Sequence, residues 1–273
     1  QSHPEQPCPF FLAVKRIDEL GGRIDFDSTG NLIAVDLAAD RISATDEDVR
    51  LLGAFPHLGR LRLSGRQITN AAAQIIAGFT NLTELALQDT QIDDQGLRQL
   101  SQLLKLASLS VRRSNSLTDR ALAGLQDFPS LACLALVDNN FTNAGIATLV
   151  DVPRLRHLDL RGCTMIDQSA LKRLVALENL ECLKLGGQTV GDGSLAVLGG
   201  FQNLKDLAVE DSPITGEGLA RIRDLPLESL TIFRCYGIDG ADQAVAHYFR
   251  FGKWTAVGEH DGDHGAIRFH FGH

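Results

Sequence analysis

The feature that most constrains the fold of this chain is a leucine pattern that returns every 23 to 26 residues. Each copy begins with a leucine and has further apolar residues three and five positions later, as in Leu155, Leu158 and Leu160. The nine copies begin at Leu32, Leu58, Leu82, Leu106, Leu131, Leu155, Leu180, Leu204 and Leu227. A period of this length predicts a repeat protein in which every copy is one structural unit.

Within each copy the pattern predicts a strand, a turn and a short helix. Ten or eleven positions after each start comes an apolar residue, and the next residue is of a type that caps helices. These cap residues are Ser43, Thr69, Asp93, Thr118, Thr142, Asp167, Gly191, Thr215 and Asp239. A short side-chain oxygen at such a position accepts from the free amides of a first helical turn, so a helix is expected after each. Leu97, Leu100 and Leu103 show the buried helical stripe.

One such unit cannot bury its apolar side alone, so the units are expected to stack into a solenoid at residues 32–246. Both ends of a solenoid need covers. Residues 1–31 are expected to supply a tail, a capping helix with Phe11, Val14, Ile17 and Leu20 on one face, and a hairpin arm. Residues 247–273 are expected to form a β-hairpin cap from "KWTAV" and "AIRFHF", anchored by Trp254.

Several copies resemble known leucine-rich repeats. "LRGCTMID" and "IFRCYGID" are similar to the cysteine-containing subtype, and "LALQDTQIDDQGL" is similar to bacterial repeats with "ITDAGL" phrases. The resemblance implies an α/β fold, a right-handed leucine-rich-repeat solenoid (horseshoe) with parallel strands on its concave side and short helices on its convex side. It also implies a scaffold for protein-protein interaction.

Composition narrows the possible functions. The formal charge of −8 and a pI near 5.5 argue against a general nucleic-acid binder. The sequence contains no run of about eighteen apolar residues, so no membrane insertion is expected. Five cysteines without a Cys-x-x-Cys pair favour reduced thiols and a cytoplasmic location. Export stays open because the chain begins at Gln1, and a monomer is expected.

Side chains two, four and six positions after each start leucine should point away from the core, because side chains alternate along a strand. We call this surface the strand face; in the implied horseshoe it is the concave face. The candidate binding residues on or beside it are Arg60, Arg62, Arg112, Arg113, His157, Asp159, Arg161, Lys184, Glu210 and Phe233. Two interpretations stay open: these residues recognise a mixed-charge partner, or they pair with one another across strands.

A second row carries metal-like and thiol chemistry. Stacking places Cys133, His157, Cys182 and Asp206 side by side on the strand face, whereas Cys163 should turn inward and away from His157. Cys133 and Cys182 lie two strand spacings apart, about 10 Å. This distance is too long for a disulfide or a single zinc ion to bridge easily.

The tail offers a second weak candidate for a metal site in His260 and His264, beside Asp261 and Asp263. Common enzyme and phosphate-binding motifs are absent from the chain. The sequence therefore predicts a non-enzymatic module without a cofactor, which binds a protein or peptide on the concave face. The alternatives are a metal- or thiol-dependent enzyme or regulator using the Cys133, His157 and Cys182 row, and an exported envelope or cell-surface recognition protein.

Overall fold

The computed structural model describes residues 8–39 and 42–238, and the backbone of residues 256–261 and 266–271. The chain forms two compact units, Gln1–Leu131 and Ala132–His273. This division lies inside the predicted solenoid and not at its predicted ends. The predicted bounds of the caps at residues 1–31 and 247–273 stay a prediction.

The N-terminal unit contains a sheet whose strand order follows the chain. Its elements are α1 (Pro9–Glu19), β1 (Arg23–Phe26), β2 (Leu32–Leu37), α2 (Asp46–Leu51), β3 (Arg60–Ser64), α3 (Asn70–Ile76), β4 (Glu84–Gln88), α4 (Asp94–Gln99), β5 (Ser108–Arg112) and α5 (Asp119–Ala123). Strands β2 to β5 run parallel, and β1 pairs with β2 in the antiparallel sense.

The C-terminal unit repeats this alternation. Its elements are β6 (Cys133–Ala135), α6 (Asn143–Ala147), β7 (His157–Asp159), α7 (Gln168–Leu174), β8 (Cys182–Gly186), α8 (Asp192–Leu198), β9 (Asp206–Glu210), α9 (Gly216–Ala220), β10 (Ser229–Phe233), β11 (Ala256–Asp261) and β12 (Ala266–Phe271). Strands β6 to β10 are parallel, and β12 pairs antiparallel with both β10 and β11. None of the helices in the described part of the chain has the length and apolar character needed to cross a bilayer.

The leucine register holds the strands in line. Leu61 pairs with Leu85 and Leu85 with Leu109, so equivalent positions of successive copies lie side by side. The leucines at the start and at the third and fifth positions are buried, as are Leu97, Leu100 and their equivalents on the helices. Burying one such side chain contributes on the order of 2 kcal/mol. The α/β leucine-rich-repeat fold expected from the sequence is therefore confirmed.

Helix capping follows the predicted residues with one exception. Thr69, Asp93, Thr118, Thr142, Asp167 and Thr215 each accept a hydrogen bond from a first-turn amide, and Gly191 caps α8 without a side-chain bond. The prediction of Ser43 is wrong, because α2 is capped by Thr45, which forms a capping box with Asp48. The first repeat is longer than most: Ile42 is buried as expected, but Ala44, also buried, stands directly before the cap. Asp239 lies outside the described residues.

Polar side chains join many helix starts to the next helix of the same unit, and we call this set of bonds the ladder. The first residue of a helix bonds the cap residue of the following helix: Asp94 accepts from the backbone amide of Thr118 at 2.7 Å and from its hydroxyl at 2.6 Å. The same pairing joins Asp46 to Thr69 and Asp192 to Thr215. Where the cap is an aspartate, the preceding partner is an asparagine, as in Asn70–Asp93 and Asn143–Asp167.

The ladder explains the small residue at the third position of these helices. A β-carbon added at Gly96 would overlap the side-chain oxygen of Asn70, and one added at Gly218 would overlap that of Asp192. The third helical residue must therefore be small for the polar side chain of the preceding repeat to reach its partner. This steric requirement explains the glycine in "IDDQGL" and "ITGEGL".

The N-terminal helix buries its predicted face in part: Ile17 is buried and Val14 and Leu20 are half-buried, but Phe11 is not. Its buried residues are Ala13 and Ile17, whereas Phe11 is 61% exposed. Gly22 lies so close to Ile17 and Leu37 that a β-carbon there would overlap both, so the turn after the helix packs tightly against β2. At the other end a hairpin is present, with its first strand at 256–261 instead of 253–257. Trp254 lies outside the described residues.

The ladder gives a testable pairing rule. We expect Asn70→Asp to lower the free energy of unfolding by about 1–2 kcal/mol, because it removes a donor and sets a carboxylate against Asp93. Adding Asp93→Thr should restore most of that loss, since it recreates the pair found between Asp46 and Thr69. Urea denaturation of the four variants of this cycle measures the coupling. A double variant no more stable than Asn70→Asp alone would contradict the rule.

Candidate binding surface

The strand face is open in both units. Its side chains are half-buried or exposed, while the side chains between them are buried, as in β5, where Leu109 and Val111 are buried and Ser108, Ser110 and Arg112 are not. In the described part of the chain no helix packs on this face. It therefore leaves a row of polar side chains available for contacts with another molecule.

A cavity of about 480 Å³ lies on the strand face of the N-terminal unit. Strands β1 to β5 all contribute to it. The lining residues are Arg23, Asp25, Ala34, Val35, Asp36, Arg60, Leu61, Arg62, Glu84, Leu85, Ala86, Ser108 and Ser110. This volume lies within the range of about 300–1,000 Å³ that is typical of ligand pockets.

The arginines of this cavity lean toward its N-terminal side. Arg60 donates to the Asp25 carboxylate at 2.9 Å and reaches it across β2, where the register residue is Ala34. The Arg62 guanidinium lies 3.6 Å from the Asp36 carboxylate, on the neighbouring strand. Both arginines were expected as partner anchors, and both have an internal counter-ion.

Glu84 is the acid on the other side of this cavity. It lies beside Arg60 in the β3–β4 register and beside Ser108 in the β4–β5 register. Because Arg60 turns away toward Asp25, Glu84 has no ion pair within the described residues, and its side chain is exposed. The floor next to it is made of the small residues Ala86 and Ser110.

Three candidate residues of the C-terminal unit form one ion cluster. Arg161 donates to the Asp159 carboxylate at 2.7 Å and to the Glu210 carboxylate at 2.9 Å. The Asp159 hydrogen bond raises the pKa of Arg161 despite its partial burial. Gly186 on the intervening strand makes this reach possible, since a β-carbon there would meet the Arg161 stem and the Glu210 backbone. This group is a structural brace as it stands.

Further pairs lie where the strands end, at a position with left-handed backbone in every repeat after the first. Arg113 donates to the Asp89 carboxylate at 2.7 Å, and Arg234 makes the equivalent bond to Asp211 at 2.7 Å. The guanidinium carbon of Arg234 also lies 4.4 Å from the ring centre of Phe233. The cross-strand pairing interpretation thus accounts for most of the charged candidates. Lys184 and His157 have no ion pair among the described residues.

The residues of the predicted thiol and imidazole row lie side by side on neighbouring strands, as expected. Cys133 pairs in register with His157, His157 with Cys182, and Cys182 with Asp206. Within the residues whose side chains are described, no group of three possible ligands could hold a metal ion. Burial and the negative charge of Asp206 raise the pKa of the Cys182 thiol. The side chains of His260 and His264 lie outside the described residues.

Cys163 occupies the inward turn that the sequence predicted. It is buried, and its thiol donates to the Leu136 carbonyl of the preceding repeat at 2.8 Å. Burial raises its pKa to about 11. Sequence analysis did not single out the equivalent residues Ser114, Asn139 and Ser212, each of which donates to a nearby backbone carbonyl. The shared signal is a small polar residue eight positions after the start leucine.

One comparison with protein families agrees with the repeat architecture. The leucine-rich-repeat family model matches residues 80–101, which include β4 and α4. No curated protein sequence matches the chain. Among solved structures, the plant peptide hormone receptor RGFR1 in complex with RGF2 is similar, with 19% sequence identity, a TM-score of 0.46 and coverage of 79% of this chain. The match covers 33% of that receptor chain.

The raised thiol pKa values predict low reactivity. With iodoacetamide at pH 7, we expect Cys163 to react on the order of 100-fold more slowly than the exposed Cys8, because its thiolate fraction falls with its pKa. Cys182 should also react more slowly than Cys8, and His157→Gln should leave its rate unchanged. Mass spectrometry of each cysteine peptide over time gives the rates. Faster labelling of Cys182 than of Cys8, lost in the His157 variant, would instead support a thiol-based activity.

Proposed function

We propose that this chain, a leucine-rich-repeat protein, is a non-enzymatic binding module that holds a protein or peptide on its strand face. The observation that carries the proposal is the open strand face with its 480 Å³ cavity. A row of parallel strands offers side chains at regular spacing in two directions, which suits an extended polypeptide better than a compact small molecule.

The charged residues of the face support recognition by shape and by selected polar groups. Internal pairs such as Arg161 with Asp159 and Glu210 hold side chains in fixed positions, so less conformational entropy is lost when a partner binds. A partner then meets a rigid pattern of charges. The enzyme alternative receives less support, because the Cys182 thiol has a raised pKa and catalytic thiols need a lowered one.

Selection of peptides tests this proposal. A random-peptide phage library is panned against the full chain, and the affinities of the selected peptides are measured by fluorescence anisotropy. Ser110→Trp and Ala208→Trp each place a large side chain on the strand face, one in each unit. We expect at least one of them to weaken each peptide tenfold or more, because the ring occupies the surface that the peptide needs.

Gln95→Trp is the matched control, since it adds the same side chain to the exposed surface of α4. It should leave every affinity unchanged, and circular dichroism checks that all three variants fold. Peptides that bind both strand-face variants as tightly as the unmodified chain would contradict the proposal, as would a library that yields no binder.

A further inference from the structure

The charged side chains of the cavity in the N-terminal unit differ in whether they have a counter-ion. Its Arg60 and Arg62 both turn toward β1 and β2, where Asp25 and Asp36 neutralise them. Arg23 lies opposite Asp36 in the β1–β2 register, three strand spacings from β4, or about 14 Å. The cations of this cavity therefore gather at one side, and Glu84 stands at the other.

The surroundings of Glu84 favour a positively charged guest. The neighbouring residues on its strand and on β5 are Ala86, Ser108 and Ser110, which leave open space and present two hydroxyl groups. A carboxylate with adjacent hydroxyl acceptors matches the donors of an ammonium or guanidinium group. Small residues at these positions also make room for the aliphatic stem that a lysine or arginine carries.

A metal ion fits this place poorly. Glu84 is the single acid on this side of the cavity, and no group of three possible ligands occurs among the residues whose side chains are described. A carboxylate guest would meet Glu84 as a like charge. An organic cation needs only one counter-ion and a few acceptors, which the site supplies.

We propose that the cavity of the N-terminal unit receives a lysine or arginine side chain of the bound polypeptide, with Glu84 as its counter-ion and Ser108 and Ser110 as further acceptors. This inference rests on the proposed function and specifies which residue type the partner presents there. In this inference Arg60 and Arg62 form the wall of the site, and Glu84 recognises the basic side chain of the partner.

A charge reversal tests the inference. The random-peptide library is panned separately against the unmodified chain, the Glu84→Lys variant and the Asp206→Lys variant. We expect peptides from the unmodified chain to share a lysine or arginine at one fixed position, and Glu84→Lys to select aspartate or glutamate there. Asp206 is the matched control, because it lies in the equivalent strand position, has no ion pair among the described residues, and does not line this cavity. Asp206→Lys should keep the basic preference.

Affinities of one selected synthetic peptide complete the test. Replacing its lysine by norleucine, or its arginine by citrulline, should weaken binding to the unmodified chain about fivefold to tenfold and leave binding to Glu84→Gln unchanged, since the counter-ion is already gone. Peptides that need the strand face but share no basic residue would overturn this inference and leave the proposed function standing. A basic residue that persists in the Glu84→Lys selection would overturn it as well. If peptide binding does not depend on the strand face at all, both this inference and the proposed function are contradicted.

Discussion

Each repeat of this chain buries its leucines only against its neighbours, and that constraint shapes the rest of the structure. The start, third and fifth apolar positions must stay in register from copy to copy, as Leu61, Leu85 and Leu109 do. Once the register is set, every other position in the repeat has a fixed place in a row. Side chains that can contact another molecule are then confined to the rows that the core does not use, among them the rows of the strand face.

Burial and capping could be predicted from sequence because they depend on spacing and local chemistry. Both departures arise where the spacing is irregular. The first repeat is lengthened, so its helix cap moves from Ser43 to Thr45. The N-terminal helix follows no repeat, and its helical pattern alone does not show that Ala13 is buried while Phe11 is exposed.

The pairing of charges could not be predicted in the same way. Sequence places Arg60 beside Glu84 and Arg161 beside Gly186, but it does not give the direction in which a long side chain leans. That direction depends on the residue in between: Ala34 lets Arg60 cross to Asp25, and Gly186 lets Arg161 cross to Glu210. Small residues on the strand face thus decide which acids are neutralised and which remain available.

The ladder between helix starts also restricts how such a chain can evolve by recombination. A repeat that begins its helix with aspartate suits a successor capped by threonine, and one that begins with asparagine suits a successor capped by aspartate. Duplication, deletion or exchange of whole repeats therefore keeps the helix junctions intact only where these two residues still match. The residue pairs at these junctions therefore depend on which repeats are neighbours. In a chain with shuffled repeats, each junction would stabilise the fold only if its two residues match.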